Sequence, residues 1–303
     1  MLRLAVTTTA ETFARVREPL ADRGIAVDHL QAKERAIPLT GDSPASSPEA
    51  DGDTDGDTAV ADFDVGLVYP GRLMEGAAIT AGHEFPWVNG RDAVLTSRNK
   101  AGVLAALADA GIDVPRSVML SNPVDESVVV DAVADLSFPV VVKPNSATRG
   151  VGVAKAGDLD SLLGVVDYLD LVHDFRATGD KSYIIQEFLP DARDYRVMVV
   201  DGDCVGGVER RLPDGLADGR WKHNVHRGAE ASGVDLPDSH RRLAERAAAE
   251  LGIPYLGVDL LETNDRLVVN ETNARPTVDT AEKYDAGFYD RLADLIRETA
   301  TSG

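Results

Sequence analysis

The chain of 303 residues is long enough for about two or three folding units, and its 44% hydrophobic content can supply their cores. It carries 51 acidic and 31 basic side chains, and the resulting net charge of −20 repels nucleic-acid phosphates and anionic lipids, so neither is an expected partner. The sequence contains no apolar run long enough to span a bilayer and no signal-like opening segment, so neither a membrane span nor secretion is expected.

Two further features of the composition concern the cell that makes the protein. The single cysteine, Cys204, cannot form an internal disulfide, which favours a reducing, cytoplasmic compartment. Only seven of the 31 basic residues are lysines, and we interpret an acidic, lysine-poor surface as an adaptation to high salt, where charge repulsion is screened within about 3 Å at 1 M. We therefore expect a cytoplasmic protein of a halophilic archaeon.

The first 95 residues predict a small α/β domain. Apolar strands are expected at residues 2–6 and 63–69, and a helix is expected at residues 12–23. Residues 41–58 are dominated by Asp, Gly, Ser and Pro and contain no large apolar side chain. Because this segment cannot bury enough surface to offset its ordering entropy, it is predicted to be a disordered acidic loop.

The second predicted unit, residues 96–190, begins with a helix for which Ser97 is the expected N-cap. A valine-rich strand at residues 138–143 leads into a loop that contains Gly150 and Gly152. A helix at residues 159–169 and a strand at residues 183–187 complete the unit. A glycine-containing loop after a strand suits phosphate binding, because its backbone N–H groups can cover phosphate oxygens.

The third predicted unit, residues 191–303, contains four strands and two helices. Strands are expected at residues 195–200, 205–211, 255–261 and 267–273, with helices at residues 239–251 and 288–296. Strands and helices do not alternate strictly along the chain. This order favours an α+β or mixed α/β class over a doubly wound sheet.

The last two predicted strands form a hairpin that carries three oxygen ligands. Glu271 and Asn273 lie two residues apart in one strand and therefore share a face, while Asp259 lies in the facing strand beyond the short connector 262–266. Oxygen-only ligation is the pattern of Mg²⁺, which usually shares its coordination sphere with substrate phosphates. The hairpin therefore predicts a nucleotide-using enzyme.

Three of the lysines lie beside expected phosphate positions, namely Lys100, Lys143 and Lys222. Lys100 lies at a helix N-terminus, which is an unfavourable place for a structural cation and favours a bound phosphate. Lys143 ends the valine-rich strand just before the glycine loop. A solvated surface role is the alternative for each lysine alone, but their shared placement favours phosphate binding.

Two further segments carry candidate binding groups. Residues 186–190 join the second and third units, and such a linker strand can offer free backbone groups and apolar side chains to an adenine ring; a simple hinge is the alternative. Four arginines cluster further along the chain and could meet developing phosphate charge, although a salt-bridged surface remains the alternative. They are Arg196, Arg210, Arg211 and Arg227.

In this order, the motifs resemble those of the ATP-grasp ligases and, among them, the RimK-type amino-acid ligases. The resemblance covers about residues 85–300 and depends on eight motifs: Arg98-Asn-Lys100, Val-Val-Lys143-Pro, Gln-Glu187-Phe, Asp194-Tyr-Arg196, Glu-Arg210-Arg211, Lys222-His-Asn224-Val-His-Arg227-Gly, Gly-Val-Asp259-Leu-Leu and Asn-Glu271-Thr-Asn273. It implies an ATP-grasp fold with an N-terminal α/β domain (1–95), a central lid subdomain (96–190) and a C-terminal antiparallel-sheet subdomain (191–303).

The resemblance also implies roles for individual residues. ATP would be held by Lys100, Lys143, Gly150, Gly152, Glu187, Phe188, Leu189, Asp194, Lys222 and Asn224. A pair of Mg²⁺ or Mn²⁺ ions would bind Asp259, Glu271 and Asn273, and Arg196, Arg210 and Arg227 would act in catalysis. After Asn273 the chain reads Ala-Arg275-Pro276-Thr277, where RimK-type proteins usually show Ser-Pro-Gly, so Arg275, together with Arg211, is expected to bind substrate.

The implied activity is ATP-dependent ligation of a carboxylate to an amine through an acyl phosphate. The added amino acid would be glutamate or a relative of it, and the acceptor would be a small coenzyme or a protein terminus. Two alternatives remain open, namely a kinase that stops at phosphoryl transfer and an ATP-binding module without catalysis. A homodimer or homotetramer is the expected assembly.

Overall fold

A computed structural model describes residues 1–8, 11–34, 36–37, 39, 63–81, 85–147, 151–173, 180–213, 221–222 and 228–302. The predicted acidic loop at residues 41–58 lies outside this part of the chain. The described strands form three sheets. Among the described helices, none combines the length and apolarity that crossing a bilayer requires.

The first sheet, called the N-terminal sheet, is parallel throughout and has the strand order β2-β1-β3-β4. Its strands are β1 (Leu2–Val6), β2 (Ile25–His29), β3 (Val65–Val68) and β4 (Trp87–Asn89). Three helices belong to this region of the chain: α1 (Glu11–Ala21), α2 (Leu73–Thr80) and α3 (Arg91–Arg98). The predicted strand–helix–strand order is therefore present.

The second sheet, called the central sheet, is antiparallel with the order β5-β8-β6-β7. Its strands are β5 (Ser117–Ser121), β6 (Val140–Pro144), β7 (Ala154–Ala156) and β8 (Ser182–Glu187). The helices α5 (Glu126–Ala132) and α6 (Leu159–His173) cover one face of it. The other face carries the buried Lys143 and Gln186.

The third sheet, called the C-terminal sheet, is antiparallel with the order β11-β10-β9-β12-β13. Its strands are β9 (Arg193–Val200), β10 (Asp203–Arg211), β11 (Glu230–Gly233), β12 (Tyr255–Glu262) and β13 (Leu267–Asn273). The remaining helices are α4 (Lys100–Asp109), α7 (Asp238–Leu251) and α8 (Phe288–Ser302), with a 3₁₀ turn at Ala281–Lys283.

The turn between β9 and β10 lies at Asp201 and Gly202. Both residues have positive φ, +51° and +79°, which is the conformation that a two-residue hairpin turn requires. Val200 therefore pairs directly with Asp203 across the turn. A β-bulge between Cys204 and Gly207 then shifts the register by one residue, which places Arg210 opposite Asp194.

Ser97 is not the N-cap that the sequence suggests. It lies inside α3, where its hydroxyl donates to the carbonyl of Thr272 at 3.1 Å and accepts from the amide of Ala274 at 2.9 Å. The cap of α4 is Asn99, whose side chain accepts from the amide of Gly102. The prediction failed because two consecutive helices, and not one, fill residues 91–109, and Ser97 tethers the first of them to the end of β13.

Two of the sheets share an apolar core, whereas the central sheet has one of its own. One cluster joins the N-terminal sheet, α8 and one side of the C-terminal sheet, and it includes Leu4, Val65, Met198, Tyr255 and Leu292. A second cluster packs α4 and α7 on the C-terminal sheet. A third cluster lies beneath the central sheet and draws only on residues 118–185.

Candidate active site

A row of charged side chains crosses the C-terminal sheet. Arg196 on β9 lies opposite Asp259 on β12, and Asp259 lies opposite Glu271 on β13. Because alternate residues of a strand share a face, Asp194 and Asn273 lie on the same face as this row. The three strands therefore place an arginine, three carboxylates and an amide on one face of the sheet.

Two arginines hold the carboxylate of Asp259. Arg196 donates to it from Nε at 2.7 Å and from Nη2 at 2.9 Å, and Nη2 of Arg210 lies 3.1 Å from Oδ2. Burial by itself would raise the pKa of Asp259, but the two guanidinium groups lower that pKa to about 2. Asp259 is therefore an anion at any physiological pH.

Arg210 also binds a second carboxylate, that of Asp194. Its Nε and Nη2 donate to Oδ1 of Asp194 at 2.9 and 2.5 Å. Burial raises the pKa of Asp194 above its ordinary value; Arg210 opposes that rise, and the nearby charge of Asp259 adds to it. Two arginines and two carboxylates thus share one buried network, in which Arg210 connects the two acids.

Two lysines approach this row, Lys143 from the central sheet and Lys100 from α4, which packs on the C-terminal sheet. Lys143 is buried on β6 and donates to Oε1 of Gln186 at 3.1 Å. Lys100, the first residue of α4, lies 3.3 Å from Oε1 of Glu271 and donates to the carbonyl of Ala147. Burial, opposed by Glu271, lowers the pKa of Lys143 to about 8. Two of the three lysines predicted to bind phosphate therefore lie beside the carboxylate row.

A small amide network orients Lys100. The side chain of Asn145, just after β6, accepts from the amide of Ala101 at 2.8 Å and donates to Oδ1 of Asn99 at 3.0 Å. The start of α4 is thereby tied to the end of β6, so that Lys100 and Lys143 are brought to the same cleft. Sequence reasoning missed Asn145, although its position directly after Lys143-Pro144 was a usable signal.

The predicted adenine segment lies beside an aromatic and cationic cluster. Phe188 and Trp221 pack edge to face with ring centroids 5.7 Å apart. Nζ of Lys155 lies 4.7 Å from the centroid of Phe188, and Nζ of Lys222 lies 5.4 Å from that of Trp221. Sequence reasoning missed Lys155 and Trp221. Trp221 precedes Lys222 and could have been found; nothing in the sequence brings Lys155 to Phe188.

Glu187 directs its carboxylate to arginines. It accepts from the amide of Arg116 at 2.8 Å and from Nη1 of Arg266 at 2.8 Å. A pocket of about 710 Å³ opens beside it, between residues 187–193 and the β12–β13 connector, and Leu189 is part of its lining. This volume suits a small-molecule ligand. Glu187 therefore joins three segments at the hinge, and its backbone and the following residues border the pocket.

The other predicted residues fall into three groups. Gly152 has a φ of +75°, and a Cβ there would lie 2.7 Å from Cγ of Pro144, so only glycine fits. Arg211 is exposed, pairs with Glu209 and does not join the Arg196–Asp259 network. Gly150, Asn224 and Arg227 lie outside the described residues.

Arg275 lies beyond the end of β13, near Arg98. Its Nη1 donates to the carbonyl of Tyr69, and Nη2 of Arg98 donates to that of Gly71 at 2.7 Å. Burial, and then the charge of Arg98, lower the pKa of Arg275 to about 10. The two arginines therefore form a cationic group between the N-terminal sheet and the end of the carboxylate row.

The three predicted metal ligands fit a divalent cation by donor chemistry. Asp259 accepts three N–H contacts on a carboxylate with about four acceptor positions, and Glu271, about one third exposed, keeps acceptor capacity beside Lys100. Asn273 accepts from the amide of Arg275 at 2.8 Å. In the described part of the chain, no group of three or more His, Cys, Asp or Glu side chains could hold a metal. An Mg²⁺ ion here would depend on the amide oxygen and on ligand oxygens.

Comparison with known proteins places this site in a family. A model of the RimK-like ATP-grasp domain matches residues 97–291. A ribosomal protein bS6–L-glutamate ligase of Escherichia coli O139:H28 is 33% identical over 194 residues, which are 63% of this chain and 60% of that protein. The chain spans between 45% and 60% of the length of the curated relatives it matches.

Solved structures support the fold. The D-cycloserine synthetase DcsG matches with a TM-score of 0.72 at 17% identity, covering 99% of this chain and all of the other. A RimK domain protein from Sphaerobacter thermophilus matches with a TM-score of 0.63 at 23% identity, covering 99% of each chain. The expected ATP-grasp fold is thus confirmed.

Proposed function

Because the chain belongs to the RimK-like ATP-grasp family, we propose that it is an ATP-dependent ligase that joins a carboxylate to an amine. The observation that carries this proposal is the proximity of two lysines to the carboxylate row: Lys100 lies 3.3 Å from Glu271, and the charges of Glu271 and Asp259 act on Lys143. The lysines suit the phosphates of ATP, and the carboxylates suit the cation that accompanies them.

In the proposed reaction, an acceptor carboxylate attacks the γ-phosphorus of ATP, and ADP leaves. The amine of an amino acid then attacks the carbonyl carbon of the acyl phosphate, loses a proton, and inorganic phosphate leaves. Magnesium bound by Asp259, Glu271 and Asn273 would neutralise triphosphate charge. We propose a pair of such ions.

The side chains of the cleft have defined tasks in this reaction. Lys100 and Lys143 bind phosphate oxygens, while Phe188 and Leu189 contact the adenine ring beside Glu187. Arg196 and Arg210 keep Asp259 ionised and present positive charge where phosphoryl transfer builds negative charge. Asp194, Lys222, Gly150, Gly152 and Asn224 complete the proposed nucleotide site, with Arg227 as a further catalytic residue and Arg275 and Arg211 as substrate residues.

The proposed amino acid is glutamate, in keeping with the names of the relatives. A small coenzyme or a protein terminus is the proposed acceptor. The acidic, lysine-poor composition supports work in a salt-rich cytoplasm, as in a halophilic archaeon, and the protein is proposed to act as a homodimer or homotetramer.

Product analysis tests the proposed function. In high salt with Mg²⁺, ATP, L-glutamate and a panel of carboxylate acceptors, we expect ADP, inorganic phosphate and a new amide in equal amounts. Asp259→Asn should lower turnover by about 100-fold or more, because it removes one anionic ligand and leaves two arginines with one carboxylate less. A stable phosphorylated product would instead indicate a kinase. ATP binding without turnover in any mixture would indicate a module without catalysis.

A further inference from the structure

Arg98 and Arg275 lack a carboxylate partner in the described part of the chain, although acidic residues far outnumber basic ones. Their contacts are hydrogen bonds to two backbone carbonyls of residues 69–71. Each guanidinium has five N–H donors, so most of its donors remain available. No guanidinium nitrogen of Arg98 or Arg275 is both buried and without a hydrogen-bond partner. The nitrogens that lack a partner therefore reach solvent.

The backbone beside the two arginines is shaped to receive them. A Cβ atom at Gly71 would lie 3.1 Å from the guanidinium carbon of Arg275, so a larger residue there would press on that side chain. Both side chains are partly buried, and their guanidinium groups donate to carbonyls of the same short segment, those of Gly71 and Tyr69, so two like charges lie close together. Such an arrangement is costly unless an anion binds it.

Arg275 borders the edge of the N-terminal sheet where parallel sheets commonly bind ligands. A small cavity, lined by Thr7, Thr8, Thr12, Arg275 and Pro276, lies at the carboxyl ends of β1 and β3. Ligands of open α/β sheets bind at this edge. At about 10 Å³ the cavity accommodates roughly one oxygen atom, which a bound carboxylate could supply.

The pair is also connected directly to the carboxylate row. The amide of Arg275 donates to Oδ1 of Asn273 at 2.8 Å, and Asn273 lies two residues from Glu271 on β13. A molecule held by Arg98 and Arg275 would therefore lie next to the groups proposed to hold the cation and the triphosphate.

We propose, on the basis of the proposed ligase function, that Arg98 and Arg275 bind the α-carboxylate of the amino acid that donates its amine. The acceptor carboxylate is converted to an acyl phosphate, whereas the α-carboxylate of the amine donor stays an unreacted anion throughout. Bidentate guanidinium groups suit such a planar anion. The bound α-carboxylate would leave the neighbouring amine directed towards the acyl phosphate.

Binding measurements test this assignment without turnover. Calorimetry with a non-hydrolysable ATP analogue and Mg²⁺ would compare L-glutamate with its α-amide, which lacks only the α-carboxylate charge. We expect the wild type to prefer L-glutamate by about 10- to 100-fold, and Arg275→Ala and Arg98→Ala to lose that preference. Arg275→Lys should retain part of it. Arg246→Ala is the matched control, because Arg246 also donates to a glycine carbonyl, that of Gly111, but on the far helix α7.

Kinetics separate this inference from the proposed function. Hydroxylamine intercepts acyl phosphates, so hydroxamate formation reports the first half-reaction without the amine donor. The inference would be supported if the Arg275→Ala variant formed hydroxamate as fast as the wild type but had a raised KM for L-glutamate. An equal affinity of the wild type for L-glutamate and its α-amide, or loss of hydroxamate formation in a folded Arg275→Ala, would overturn the inference. Absence of hydroxamate from the wild type with every acceptor would instead contradict the proposed ligase function.

Discussion

The central sheet and the two outer sheets are built into the molecule in different ways. The core beneath the central sheet uses only residues 118–185, so this unit buries its own apolar surface. The N-terminal and C-terminal sheets share one core, in which Leu4 and Val65 pack in the same cluster as Met198 and Tyr255. Because shared apolar burial binds units together, the two outer sheets pack as one body, whereas the central sheet packs on a core of its own.

Several contacts between the central sheet and that body are polar. They include the bond from Lys100 to the carbonyl of Ala147, the contact of Asn145 with Asn99, and the ion pair of Glu187 with Arg266. Such contacts can break and re-form at low cost because water can replace them. The candidate site lies across this seam, which is where ligand-dependent closure would act.

The largest expected effect comes from truncating the two kinds of core. Leu292 on α8 and Leu162 on α6 are both fully buried, the first in the shared core and the second in the central one. Each Leu→Ala change should lower the free energy of unfolding of its own unit by about 3 kcal/mol. Hydrogen exchange should then rise in both outer sheets for Leu292→Ala, but only in residues 117–187 for Leu162→Ala.

This pair of variants provides its own control, because the two substitutions remove the same atoms from equally buried sites. If Leu162→Ala raised exchange in β1 and β9 as much as in β6, the central sheet would not be an independent unit. The comparison drawn above would then be wrong.

The next largest expected effect is a pH dependence that arises from Lys143, the residue of the central sheet that faces the candidate site. Because burial lowers its pKa from 10.5 to about 8, the folded protein releases this proton in a window where the unfolded chain still keeps it. The free energy of unfolding should therefore rise with pH between about 8 and 10.5. ATP affinity should fall over the same window, by at most about tenfold per pH unit, because the ammonium group that meets the phosphates is lost.

Fluorescence or calorimetric titration with ATP at several pH values between about 7 and 9.5 would check this dependence. Lys143→Arg is the matched variant, because a guanidinium stays charged throughout and should remove the pH dependence. A wild-type affinity that does not change over this range would mean that Lys143 does not contact the phosphates.

The smallest expected effect comes from the hinge at Glu187. Burial would raise the pKa of Glu187, but hydrogen bonds from Arg116 and Arg266 lower it below its ordinary value. The ionised carboxylate therefore stabilises the fold above about pH 4.5, and this stabilisation is lost as the pH falls through the lowered pKa. Since both arginines are substantially exposed, Glu187→Gln should destabilise the protein by less than about 1 kcal/mol. It should also speed amide exchange at the hinge.

Exchange at the amide of Glu187, which donates to the carbonyl of Arg116 at 2.9 Å, is the direct readout. Glu75→Gln serves as a control, because Glu75 forms an exposed ion pair with Arg72 away from the hinge. Equal and negligible changes in the two variants would show that the ion pair does not hold the hinge.

Much of the site was predictable because its residues have local sequence signals. Glu271 and Asn273 share a face because they are two residues apart on a strand, and Asp259 faces them because the connector is short. The partners of Asp259 were not predictable in the same way. Arg196 reaches it because β9 pairs with β12, strands that lie more than fifty residues apart in the chain. The site roles of these residues stay predictions until they are tested.

Local sequence signals did not reveal the surroundings of some residues, because tertiary contacts or strand alternation decided them. Ser97 has the composition of an N-cap, but α3 continues through it and tertiary contact with β13 claims its hydroxyl. Arg210 and Arg211 are neighbours in the sequence and were given separate roles, in catalysis and in substrate binding; strand alternation sends Arg210 into the buried network and Arg211 to the surface pair with Glu209.

The sequence by itself determined most of the described strands and helices and the family resemblance, and it supplied the proposed oxygen ligands, because periodicity, turn residues and motif order are local properties of the chain. Only the tertiary structure decided which charges neutralise one another, which cores are shared, and that Arg98 and Arg275 lie together with no acidic partner among the described residues. These features depend on strand register and on contacts between distant segments. Burial then sets their energetic consequence, since a charge in low dielectric needs a partner that no linear pattern specifies.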